Sequence, residues 1–128
     1  QSHITHHSFV PHKIVSQFYR NHHILVHVPP EVEGYGMTVV EALAYGMNVI
    51  VSNVCALPEL VGNGKAGYVI EANSEEALER ALVELIENPK LRSKLSIKAQ
   101  QFYRKNFTPK IFNQKLASFL SRDSSLSV

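Results

Sequence analysis

Glu33 and Glu41 frame the stretch Gly34-Tyr35-Gly36-Met37-Thr38-Val39-Val40, in which a glycine loop runs straight into an apolar helix. Glycine lets the backbone come close to a ligand. A helix start offers unpaired N–H groups with a partial positive charge, and the two features together suit a phosphate. An acid on each side of that anion can accept hydrogen bonds from sugar hydroxyls. The chemistry implied is the grip of a diphosphate between two polyol groups, as in a nucleotide sugar. A plainer reading stands beside it, with Glu33 a solvated loop acid and Glu41 a charge in the helix's first turn, worth about 0.3–1 kcal/mol without any ligand.

The elements that must position these acids follow from periodicity. Residues 4–7 read as a short strand, and a turn at 8–11 leads into a helix with Ile14, Val15, Phe18 and Tyr19 on one face, ended by Asn21. Residues 24–28 read as a buried strand stopped by Pro29-Pro30. After the acid-glycine loop come a helix over 38–45, with Val39 and Leu43 inward and Gly46 at its C-terminal end, and a strand over 49–52. A loop at 53–57, a helical turn near 58–61 and the Gly62-Asn63-Gly64 turn lead to a last strand over 67–70. Ser74 caps a helix whose Ala77, Leu78, Ala81, Leu82, Leu85 and Ile86 form one apolar face, with Glu75 and Glu76 in the first turn. Pro89 opens a second late helix with Leu91, Leu95 and Phe102 inward, and Thr108-Pro109 a third carrying Phe112, Leu116, Phe119 and Leu120. The alternation predicts an α/β fold, a Rossmann-like parallel sheet flanked by helices, with ligands at the carboxyl ends of strands. The acid-glycine loop leaves such an end.

Composition narrows the function. A chain of 128 residues, 45% apolar, buries one core, so a single domain or part of one is expected. The net charge of +2 is mild, and the Lys and Arg residues of 90–105 fall on helical patterns as solvated faces, which argues against a nucleic-acid partner. One cysteine forbids an internal disulfide and suits a reducing, cytoplasmic compartment. No eighteen apolar residues run together, so no membrane segment is expected, and Gln1-Ser2-His3 lacks both an initiator Met and a signal pattern. The chain therefore reads as a fragment.

Other reactive side chains carry less. His3, His6 and His7, with His22 and His23, invite a metal reading, but neighbours on a strand point to opposite faces and do not converge on one ion, so no metal site is assigned. His27 reads as a packed residue near the end of a buried strand, and Cys55 as a small buried side chain with no basic neighbour in sequence to activate it. Tyr35 either stacks on a sugar or fills its loop. Glu59 either binds at the next helix start or caps it.

The segments PPEVEGYGMTVVEALAYGMNVIVSN, ALPELVGNGKAGYVI and SEEALERALVELIENPKLRSKL together resemble the C-terminal domain of retaining glycosyltransferases of the GT-B fold, the glycosyl transferases group 1 family, over residues 9–107. The resemblance rests on four elements in order: the two spaced acids, the glycines between them, the Leu57-Pro58-Glu59 turn and the glycine turn after it. It implies roles residue by residue. Glu33 matches the acid beside the transferred sugar, the catalytic position. The backbone of Tyr35, Gly36, Met37 and Thr38 would cradle sugar and diphosphate. Glu41 matches the acid that grips the ribose. The Phe9-Val10-Pro11 turn matches the segment whose main chain meets the nucleobase, with Val10 the contact. The family resemblance also implies no metal and no cofactor, the nucleoside diphosphate sugar being a substrate.

Four positions depart from the pattern: Asn48 stands where proline is usual, Pro30 where serine is common, and Cys55-Ala56 where two glycines often precede the Leu-Pro-Glu turn. These are expected to alter loop shape and sugar choice. The resemblance further implies that two earlier strands, a basic pair that neutralises the diphosphate and an N-terminal acceptor-binding domain are missing. Residues 1–107 are then the nucleotide-sugar domain without its first strands, and 108–128 a crossover helix and tail whose apolar face is partly exposed. The isolated chain should be inactive, and any membrane association would run through the missing domain. The rivals are a GT-B phosphorylase or epimerase, whose cofactor lysine or different acid arrangement is not seen, and a non-catalytic partial domain that assembles with another chain.

Overall fold

The computed structural model describes residues 3–31 and 36–123. Helix α1 (His12–Asn21) leads into strand β1 (Ile24–His27), α2 (Met37–Ala44) into β2 (Asn48–Ser52), and α3 (Leu57–Leu60) with the 3-10 turn Gly62–Gly64 into β3 (Tyr68–Ile70). Helices α4 (Glu75–Glu87), α5 (Pro89–Asn106) and α6 (Pro109–Asp123) complete the chain. The three strands are parallel in the order β1-β2-β3, with Val26 opposite Ile50 and Ile50 opposite Tyr68.

Parallel strands need crossovers, and all five residues of the central strand are buried, as a sheet covered on both faces requires. Val49 and Val51 pack with Val39 and Leu43 of α2, Leu57 of α3 and Ala99 of α5. Ile50 turns the other way, onto Ala81 and Leu85 of α4. Both crossovers thus lie on one face, as right-handed connections stepping in one direction across a sheet must. Helix α5 reaches both layers, with Ala99 and Phe102 in one cluster and Leu95 in the other. It presses on the end of α2, where a side chain at Gly46 (φ +73°) would meet Ser96 Oγ at 2.7 Å.

Several expectations are corrected. Residues 4–7 form no strand, because a four-residue segment needs a ladder and the sheet's three strands pair only with one another among the described residues. Cys55 is exposed, not buried: its φ of +49° lies in the left-handed region of a loop that turns the thiol outward. Ile86 is exposed at the edge of α4's apolar face, the core there being filled by Ala81 and Leu85. Arg92 is not a solvated charge, since its guanidinium donates to the carbonyls of Leu85 (2.7 Å) and Ile86 (2.9 Å) and so closes the C-terminus of α4. Asn48, expected to shape the loop, lies at the opposite end of its strand, where its amide donates to the carbonyls of His23 and Arg92, both at 3.4 Å. On α6, Leu116 and Leu120 are exposed.

Candidate functional site

Helix α2 begins at the carboxyl end of β1, where a doubly wound sheet presents its ligand crevice. Gly36 starts it with φ +63°, a conformation that costs an L-residue about 1–2 kcal/mol. A Cβ there would lie 2.5 Å from Leu60 Cδ1, so α3, the Leu-Pro-Glu turn of the sequence, buttresses the mouth of α2. The amides of Val39 and Val40 turn back onto the Gly36 carbonyl at 3.0 and 3.3 Å. Among the described residues no side chain caps the helix, and no acid sits in its first turn, so Met37 and Thr38, both exposed, present its opening amides. The chain entering this loop is pinned by buried Ser52, whose hydroxyl donates to the Pro29 carbonyl at 2.8 Å.

Glu41 is the fifth residue of α2 and not in its first turn, which corrects the sequence reading and weakens its plain role as a dipole charge. Instead it faces α1. The Tyr19 hydroxyl donates to Glu41 Oε2 at 3.0 Å, and His12 Nε2 lies 3.8 Å from Oε1. Burial raises the Tyr19 pKa to about 12, helped by the hydrogen bond and negative charge of Glu41, while a bond with Thr38 acts the other way. Tyr19 stacks on Tyr45 at 5.4 Å, and the Arg20 guanidinium lies 5.6 Å over the Tyr45 ring. Between α1 and α2 opens a cavity of about 200 Å³ lined by His12, Val15, Ser16, Tyr19, Glu41 and Tyr45.

Of the residues singled out in the sequence, the structure gathers Gly36, Met37, Thr38 and Glu41 on the first turns of α2. Half-buried Val10 precedes Pro11, the residue that starts α1 and whose carbonyl receives the amides of Ile14 and Val15. Glu33, Gly34 and Tyr35 lie outside the described residues. Glu59 is exposed in the first turn of α3. Tyr19 and His12 were not foreseen. The signal was present for Tyr19, because a tyrosine on the apolar face of a helix brings a hydroxyl into the core that needs a partner. Among the described residues no helix is long and apolar enough to cross a membrane.

A parallel sheet flanked by helices, with a glycine-started helix at the carboxyl end of β1, is a Rossmann-like fold of the GT-B kind. Residues 1–102 match the profile of the glycosyl transferases group 1, and the chain belongs to that family. It is 37% identical over 91 residues to an uncharacterized glycosyltransferase of Methanocaldococcus jannaschii, covering 71% of this chain and 26% of the relative. To the lipopolysaccharide core biosynthesis mannosyltransferase LpcC of Rhizobium leguminosarum it is 37% identical over 79 residues, 62% of this chain and 22% of that protein. Its fold is similar to that of Anabaena Alr3699/HepE in complex with UDP, with a TM-score of 0.77 at 23% identity, over 84% of this chain and 30% of that one. The chain thus spans about a quarter of the length of the curated relatives it matches.

Proposed function

We propose that this chain is the donor-binding part of a glycosyltransferase that moves a sugar, with retention, from a nucleoside diphosphate to an acceptor in polysaccharide, glycolipid or glycoconjugate synthesis. The observation that carries the reading is Glu41, lining a cavity one turn beyond a helix start that is open to an anion. Glu41 takes the ribose hydroxyls, the backbone of Tyr35, Gly36, Met37 and Thr38 takes the diphosphate and sugar, Glu33 holds the sugar's hydroxyls, and the main chain at Val10 meets the base. The names of the relatives and the similarity to a UDP-bound fold support it.

In such a transfer the bond between sugar and diphosphate loosens first, and the acceptor attacks the oxocarbenium-like sugar from the face that the leaving group vacates. Catalysis is then leaving-group stabilisation and positioning. The α2 amides supply part of it, with no metal or cofactor, and basic side chains from the remaining length of the relatives' fold supply the rest. Glu33 orients the sugar and forms no covalent bond. The reading places the protein in the cytosol, any membrane contact being made outside this segment, and makes the isolated chain inactive. Calorimetric titration with UDP-, GDP- and ADP-sugars should show binding of at least one donor, weakened about tenfold or more by Glu41→Ala, which corresponds to about 1.4 kcal/mol. Equal heats from both proteins would remove the ribose role.

One observation favours a second reading, a non-catalytic module that assembles with another chain. Among the described residues β1 pairs only with β2, and Val26 on it is 40% exposed. Concentration-dependent association in sedimentation, together with no response to any donor, would select it.

A further inference from the structure

We propose that Tyr19 is the positioning residue that holds the Glu41 carboxylate in place for a ribose and ties the ribose subsite to the base-contacting turn at the start of α1. The inference rests on the donor-site reading of Glu41. A glutamate on a helix surface rotates about three bonds, and a recognition site requires it to keep one orientation before the ligand arrives. Two groups approach Glu41, and they differ in what they can hold. His12 is 89% exposed and 3.8 Å from Oε1, an arrangement that solvent and side-chain entropy leave weak. Tyr19 is 7% exposed, its ring fixed against Tyr45, and its hydroxyl reaches Oε2 at 3.0 Å.

The hydroxyl is a reliable donor at working pH, since burial and the neighbouring acid push its pKa up to about 12. A carboxylate has about four acceptor sites, and Tyr19 uses one. The rest stay available on the wall of the 200 Å³ cavity, a space several water molecules in size. Tyr19 also lies on the helix that Pro11 starts. Burial of Tyr19 against Tyr45 places α1, and its hydrogen bond orients Glu41 relative to the Val10 main chain, the two points that would meet a base and its sugar.

The test pairs variants with ligands on the full chain. Affinities for UDP, GDP and ADP are measured for the wild type, Tyr19→Phe and Glu41→Gln, and for the tightest of the three the 2′,3′-dideoxy analogue is added. The expected result is a loss of about five- to tenfold for the ribonucleotide in Tyr19→Phe and a larger loss in Glu41→Gln, with affinity for the dideoxy analogue unchanged in both. Ribonucleotide binding untouched by Tyr19→Phe but weakened by Glu41→Gln would overturn the positioning role and leave the donor site standing. Binding untouched by Glu41→Gln would overturn the donor site itself, and equal losses for both ligands in Tyr19→Phe would show a merely structural tyrosine. A second measurement follows Tyr19 itself: in ultraviolet alkaline titration, the Tyr19 signal, assigned as the one lost in Tyr19→Phe, should move from about 12 toward the ordinary value of about 10 in Glu41→Gln. An unmoved titration would contradict the link.

Discussion

Helices α2 and α4 cover opposite faces of the same central strand, yet they begin in opposite ways. At α4 the Ser74 hydroxyl accepts the Ala77 amide at 3.1 Å, and Glu75 and Glu76 fill the first turn, so the helix start is satisfied and repels anions. At α2 no side chain among the described residues caps the start, and the first turn holds no acid. Each helix also carries a glutamate paired with a tyrosine. Tyr68 on β3 has its pKa raised by burial, then by the hydrogen bond and charge of Glu84, but Glu84 is exposed on a groove that it shares with Arg80. Glu41 is half-buried on the wall of the cavity between α1 and α2. The same residue types thus close one element and leave the other uncapped, and the difference between the two helices is the unmet hydrogen-bonding capacity among the described residues at the start of α2, which the proposed donor site would use.

The comparison breaks most visibly at Gly36. Replacement by Ala adds left-handed strain of about 1–2 kcal/mol and crowding against Leu60 of about 1–3 kcal/mol, so urea unfolding should show a loss of about 2–5 kcal/mol together with loss of nucleotide binding. Tyr19→Phe should cost about 1–2 kcal/mol, below the full value of a charged hydrogen bond because Glu41 remains 36% exposed and can rehydrate. Ser74→Ala should cost about 1 kcal/mol by the same measurement and leave nucleotide affinity unchanged. Tyr68→Phe should fall below about 1 kcal/mol, also without effect on binding. The smallest signal is in pH. Because the folded Tyr19 pKa lies above its unfolded value, its contribution is complete below pH 10 and is lost as pH rises through about 12, so the stability curve of Tyr19→Phe should be flatter than that of the wild type in that window.

Much of this architecture was legible in the chain. Val49-Ile50-Val51 between turn signals gave a buried strand, Ser74 with two following acids gave a helix start, and Pro89 and Pro109 opened helices where proline can. Patterning fails where a residue's fate depends on a distant partner. Residues 4–7 have strand composition without a ladder, Cys55 was turned outward by a backbone angle no composition announces, and Arg92 found carbonyls on another helix. At the site, the glycine start of the helix could be read directly, although Glu41 was placed in the first turn and lies beyond it. Tyr19 could not, because 22 residues separate it from Glu41 and only the packing of α1 on α2 brings the hydroxyl to the carboxylate.

The most direct test is a crystal structure of the chain soaked with whichever of UDP, GDP or ADP it binds. The account predicts the ribose hydroxyls within about 2.5–3.0 Å of the Glu41 carboxylate, with Tyr19 still bonded to its other oxygen and the phosphates at the opening amides of α2. A nucleotide seated at the other end of the strands, between Asn48 and α5, with Glu41 untouched, would contradict it.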